Sequence, residues 1–393
     1  PVTPYARGFH PPDCCSIGAI KKLRPRILYL TISFFLCILA QTIAPFVLIF
    51  MKPTTLQSIA EELGVSPTTV SRVLNHKADQ YRISAKTRDR ILKKARELHF
   101  TPNPLARSLK TRKTQTIGLV IPDIANPFFS SIAKCVEQEA RKYRYSIILC
   151  DSQEDTDTEQ FSLSLLQQRN VDGMIVASVG LEAAPIERIH HNGTPVVVVD
   201  RYFENSDMPF VGSDNYRGAF EAVDYLIECG HRNIAFIQGM HRTTPNEDRL
   251  RGYLDALEHH HIKVDDSLIV GDSFGEETGY LETKILARRN PRPTALFAAG
   301  NLISLGALKA LTEEKLEVPR DMSIISFDEQ PYSNLLKTPM TTVAQQNMEI
   351  GQIAVKMLFN QINSGALEFN KSITLPTRII KRKSVKNLHN ASE

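Results

Sequence analysis

TTLQSIAEELGVSPTTVSRVLN, residues 54–75, and ISAKTRDRILKKARELHFTPNPLARSLK, residues 83–110, hold three short amphipathic segments with their start and stop signals in place. In the first, Leu56, Ile59, Ala60 and Leu63 recur at helical spacing and line one face. Gly64 ends it, because the chain must leave through a left-handed residue that glycine adopts without steric cost. Ser66 then stands as an N-cap, and Pro67 takes the first helical position, where a missing N–H is harmless. The second helix, Pro67 to Asn75, has Val70, Val73 and Leu74 to bury and leaves Thr68, Thr69, Ser71 and Arg72 facing outward. A third starts after the N-cap Ser84 and runs to about His99, burying Ile91, Leu92, Ala95 and Leu98.

Two short helices joined by a tight glycine turn form a helix-turn-helix, whose second helix enters the DNA major groove. Arg72 is planar and forked, suited to the O6/N7 edge of guanine, and Thr68 offers a hydroxyl to a base and a methyl to thymine. Thr69 and Ser71 are better placed for phosphates or for helix packing, and Ser66, Pro67 and Asn75 complete the expected contact surface. Charge separates this from an ordinary solvated αα-hairpin. Residues 52–113 carry 14 Lys and Arg against 5 Asp and Glu, whereas residues 114–393 carry 28 against 37. A basic head on an acidic body suits phosphate binding. Beyond the third helix, Pro102 and Pro104 stop one helix and start another, LARSLK, which is too short to be stable alone. It is expected to fold against DNA, with Leu109 as an apolar wedge in the minor groove and Arg107 and Lys110 as further DNA contacts.

From Thr116 onward, short apolar runs alternate with helical stretches: IGLVIP (117–122), SIILCD (146–151), GMIVAS (173–178), PVVVVD (195–200), NIAFIQG (233–239), TALFAAG (294–300) and SIISFD (323–328). Such runs, hydrophobic on both faces, predict parallel sheets covered by helices, an α/β body too long for one core and so expected in two lobes. Ligands of open α/β sheets sit at the carboxyl ends of strands. Asp123, Asn126, Phe128 and Phe129 follow the first run, Asp200 and Arg201 the fourth, and Asp214 and Asn215 open the second lobe. Arg249 can clamp a hydroxyl, carboxylate or phosphate, Phe274 can stack on a sugar face, and Asn301 follows TALFAAG.

GVSPTTVSRVLN, PNPLARSLK and TIGLVIPDIANPFF together resemble the LacI/GalR family of bacterial transcriptional repressors, from Thr54 to about Val385. The long connection NHKADQYRIS is similar to that of the family's fructose and sucrose repressors. The resemblance implies an all-α helix-turn-helix head (52–102), a hinge (103–113) and a periplasmic-binding-protein-like body (114–386). Its N-lobe would cover about 114–213 and 343–372, and its C-lobe about 214–342 and 373–386. It places Pro67, Thr68 and Arg72 at base-reading positions, Leu109 at the intercalating one, and Phe128, Phe129, Asp200, Arg249, Phe274 and Asn301 at effector contacts. Pro67 departs from the polar residue often found there and cannot hydrogen-bond a base edge, and Asn301 replaces an aspartate seen in several relatives. The implied protein is a cytoplasmic repressor of carbohydrate genes, answering to a sugar or sugar phosphate. It would bind palindromic operator DNA as a homodimer or a tetramer, without cofactor, metal or catalytic residue.

Competing classes find less support. GxGxxG after a strand, a P-loop and CxxC are all missing from the sequence. The acidic run Asp151, Glu154, Asp155, Asp157 and Glu159 is expected to serve a helix dipole, and His259, His260 and His261 are consecutive rather than spaced for one helix face. The basic segment RIIKRKSV (378–385) is expected to be a strand with a solvated exit. Residues 27–50 carry no charge, follow Lys21, Lys22, Arg24 and Arg26, and score as a membrane span or signal anchor. That orientation would carry the head away from DNA, so residues 1–50 are expected to be an upstream extension with Met51 as the start. The alternative is a true anchor at the inner membrane.

Overall fold

The computed structural model describes residues 55–75, 77–98, 100, 113–369 and 371–389. Residues 27–50 and the hinge contacts Arg107, Leu109 and Lys110 lie outside them. Among the described residues no helix is long and apolar enough to cross a membrane. The chain separates into two compact units at 103/104.

In the head, α1 (Leu56–Leu63) starts at Thr55, whose side chain and that of Ser58 cap each other's backbone N–H, and ends at Gly64 with φ 65°. The α2 helix (Pro67–Leu74) is capped by Ser66, and α3 (Ala85–Glu97) by Ser84. Ile59, Val70 and Ile91, one from each helix, are fully buried at the centre. Burying each contributes roughly 1.5–3 kcal/mol. Ala78, from the long connection, joins the same core. Arg90 reaches back to donate to the Leu63 carbonyl at 3.2 Å, so α3 helps to cap α1.

The body holds two six-stranded sheets. The first comprises β1 (Thr116–Ile121), β2 (Ser146–Asp151), β3 (Met174–Val176), β4 (Val196–Val199), β5 (Phe210–Ser213) and β11 (Ser372–Leu375), in the order β11-β5-β4-β3-β1-β2 and wholly parallel. The second comprises β6 (Ile234–Ile237), β7 (Ile269–Val270), β8 (Ala295–Ala298), β9 (Ser323–Phe327), β10 (Thr341–Ala344) and β12 (Arg378–Ile380), in the order β12-β10-β9-β8-β6-β7. Only β12 runs antiparallel there. Helices α4 (Pro127–Lys142) and α11 (Asn347–Ser364) pack with one face of the first sheet, and α5 (Thr156–Gln168) and α6 (Ala184–His191) with the other. The second sheet carries α7 (Asn215–Glu228) against α8 (Thr244–His259) and α9 (Glu276–Ala287) against α10 (Asn301–Glu313). The last pair touches through Gly279 and Gly306, where an added Cβ would overlap a carbonyl oxygen of the opposite helix.

Two expectations need correction. The lobe boundaries at 342/343 and 372/373 cut through strands, because β10 pairs along its length with β9, and β11 joins β5. The chain therefore crosses after Ala344 and returns after Leu375. The exit from β12 is solvated only in part: Lys381 and Lys383 are exposed, but Ser384 is fully buried, accepts from Thr341 N at 2.8 Å and donates to the Ile324 carbonyl at 2.6 Å. Arg382 forks onto Glu329 at 2.9 and 2.6 Å. Among the basic residues of that run Arg382 alone turns inward, toward an acidic partner that its neighbours in sequence do not reveal.

Candidate DNA-contact surface and effector cleft

On the head, the expected contact residues separate into two groups. Ser66 Oγ accepts from Thr69 N at 3.1 Å and lies 2.8 Å from Thr69 Oγ1, so both hydroxyls build the start of α2. Asn75 donates to the Ser71 carbonyl at 2.7 Å and tidies the helix end. Pro67 and Thr68 are exposed. The Arg72 guanidinium does not project freely, because it lies 3.8 Å from the centroid of the Tyr81 ring. Tyr81 belongs to the long connection between α2 and α3, and no local sequence signal paired it with Arg72.

In the body, all six expected effector residues, Phe128, Phe129, Asp200, Arg249, Phe274 and Asn301, line one cavity of about 370 Å³, its open mouth included. The first sheet supplies the start of α4, the loop after β2 and the residues after β4. The second supplies α8 and the residues after β7, β8, β9 and β10. The cavity thus lies where carboxyl ends of strands from both sheets meet.

Asp200 and Asp328 follow β4 and β9 and both sit at left-handed φ, 66° and 72°. Both are buried. Burial, reinforced by Asp328 and Glu154, raises the Asp200 carboxyl to about 6 against the pull of Arg201 and Arg249. Burial likewise raises Asp328, while Arg249, Gln345 and the Asn301 backbone oppose the shift. Arg249 donates to Asn215 Oδ1 from Nε (3.0 Å) and Nη2 (2.7 Å) and to the Ala299 carbonyl from Nη1 (2.5 Å), with its plane 3.7 Å from the Phe327 centroid. Phe274 lies against Gly239, where a Cβ would strike the ring, and its centroid is 5.8 Å and 5.9 Å from the guanidinium carbons of Arg201 and Arg249. Phe128 and Phe129 meet edge to face at 5.0 Å.

The sheets also touch through polar contacts. Asn301 Nδ2 donates to Asn126 Oδ1 at 2.9 Å, and Tyr202 N donates to Thr244 Oγ1 at 3.0 Å. Asp214, one of the residues opening the second lobe, caps α7 by accepting from Arg217 N at 3.0 Å. Sequence reasoning assigned Glu154 to a helix dipole, but it pairs with Arg201 at the cavity wall. It passed over Asp328 and Gln345, although the rule that found Asp200 applies equally to the residue after SIISF.

A helix-turn-helix head joined to a two-lobed body with a cleft between its sheets defines a ligand-responsive DNA-binding regulator. Residues 55–103 match the lacI family of bacterial regulatory proteins, and residues 223–385 match a periplasmic binding protein-like domain. The chain is 33% identical to a ribose operon repressor of Halalkalibacterium halodurans, covering 86% of this chain and 99% of that one. It is 35% identical to the HTH-type transcriptional regulator DegA of Bacillus subtilis, with coverage of 86% and 99%. Among solved structures, the lac repressor dimer bound to operator and the anti-inducer ONPF superposes with a TM-score of 0.75 at 25% identity, covering 85% of this chain and 100% of that one. A LacI family regulator of Enterococcus faecium with bound ribose superposes with a TM-score of 0.63 at 29% identity, covering 70% and 99%. The chain belongs to the lacI family of bacterial regulatory proteins.

Proposed function

We propose that the protein is a sequence-specific repressor of carbohydrate genes, acting in the cytoplasm, whose operator affinity is set by a sugar or sugar phosphate held between the lobes. The observation that carries this is the convergence of Phe128, Phe129 and Asp200 from one sheet with Arg249, Phe274 and Asn301 from the other around one cavity. A ligand touching both walls stabilises the lobe arrangement in which both sets of contacts exist, and shifts the population toward it. By linkage, operator DNA changes effector affinity by the same factor. The relative named as a ribose operon repressor and the ribose-bound neighbour support a carbohydrate ligand.

Residues 52–102 serve as the DNA-binding head, 103–113 as the hinge and 114–386 as the sensor. Thr68 and Arg72 read bases beside Pro67, and Leu109 wedges the minor groove with Arg107 and Lys110 beside it. The cleft binds its ligand and does not turn it over. A palindromic operator calls for a homodimer, and Leu281 and Ile285 on α9 with Leu305 on α10 offer an exposed apolar face for it. The test is binding to genomic fragments at several salt concentrations, with and without candidate sugars. A salt-sensitive, sequence-selective complex whose affinity responds to one sugar is expected. Equal binding to all duplexes, indifferent to every sugar, overturns the proposal.

A further inference from the structure

We infer that the cleft is built for an uncharged polyhydroxyl ligand, an unphosphorylated monosaccharide, and discriminates against its phosphate ester. This rests on the function proposed above and narrows it. A phosphate site needs cations or backbone N–H groups with donors to give, and here the donors are largely taken. Arg201 gives one N–H of each terminal nitrogen to Glu154, at 2.8 and 2.6 Å, and another of Nη1 to the Ser178 carbonyl at 3.4 Å. Its Nε is buried, with only Asp200 Oδ2 near it, at 4.0 Å.

Arg249 has three of its N–H bonds on Asn215 and the Ala299 carbonyl and one face on Phe327. Of the five N–H bonds of a guanidinium, two remain. They suit sugar oxygens, but they sit in the field of Asp200 and Asp328. Where two helices begin at the cleft, Phe128 N–H already donates to Asn126 and Leu302 N–H to Asn301. The ionisable lining comprises three carboxylates, Glu154, Asp200 and Asp328, against two guanidiniums. A dianion placed among them meets an excess of its own sign in a buried site. Hydroxyl groups, by contrast, need acceptors, which Asp200 and Asp328 supply, and the phenylalanine rings cover the apolar faces of a sugar.

The test uses the full chain, titrated calorimetrically with D-ribose, D-glucose, D-fructose and the phosphate ester of each. At least one free sugar is expected to bind roughly tenfold or more tighter than its ester. An ester that binds as well as its parent overturns the inference and leaves sugar-controlled regulation standing. Failure of every sugar and ester, by protein that still binds its operator, overturns the sugar reading as well. Glu154→Gln supplies a second arm, because it frees the Arg201 fork. Ester affinity is expected to rise by roughly tenfold while the free sugar changes less. No gain, in a variant whose operator binding shows it folded, defeats the claim that Glu154 is what withholds the cation.

Discussion

Arg72 in the head and Arg249 in the body each hold the guanidinium carbon over an aromatic ring, 3.8 Å from the Tyr81 centroid and 3.7 Å from that of Phe327. The similarity ends there. Tyr81 is 44% exposed and Arg72 half-buried, whereas Arg249 is 3% exposed and tied to Asn215 and Ala299. The exposed stack is an orienting contact: it holds a planar fork in place at the cost of little else and leaves it accessible to a base. The buried stack fixes a wall of the cleft. One device, at two depths, therefore gives an accessible fork on the proposed reading helix and a rigid frame in the cleft.

The largest expected effect comes from breaking the buried member. Arg249→Ala strands Asn215 Oδ1, the Ala299 carbonyl and two carboxylates, and is expected to destabilise the body by about 3–5 kcal/mol. Any effector response should vanish while the head still binds operator, as thermal unfolding and gel shift would show. A body of unchanged melting temperature contradicts the rigid-frame role.

Arg72→Ala is expected to cost roughly 1–3 kcal/mol on the specific site and to relax preference at one base pair. Equal losses on specific and random duplex would remove Arg72 from base readout. Tyr81→Ala sharpens the comparison further, with an expected loss of about 0.5–1 kcal/mol in specific binding, while Tyr81→Phe keeps the ring and most of the affinity. If both substitutions act alike, the stack is incidental.

The most localised effect is a pH dependence confined to the cleft. The Asp200 carboxyl is raised to about 6, chiefly by burial, against 3.8 for an ordinary aspartate. Between those values the folded protein holds a proton that the unfolded chain has released. The stabilising contribution of this group is therefore complete below 3.8 and lost as pH rises through about 6. Binding of the proposed sugar is expected to move oppositely, weakening below about 6 as the Asp200 carboxyl is protonated. Asp200→Asn is expected to flatten both profiles, and a persistent slope would assign the titration elsewhere.

The legible parts were those written locally. Gly64, Ser66, Pro67 and Ser84 act on neighbours within a turn, so these helix starts and stops in the head could be read directly. The strand runs of the body could be read from their unbroken hydrophobicity, and residues at their carboxyl ends pointed to the cavity. Contacts made across long separations could not be read. The two-residue β7 has no pattern of its own, and β10 and β11 reveal which sheet they join only through their partners. Glu154 stands among other acids, and only the folded chain shows that it faces Arg201.

The placement of β11 and β12 at 372–375 and 378–380 also orders events on the ribosome. The head core is complete at Phe100, whereas each sheet waits for a strand made much later, β11 or β12. Since domains generally fold as units during synthesis, each nascent chain passes through an interval in which its groove-reading part is finished and its sensor is not.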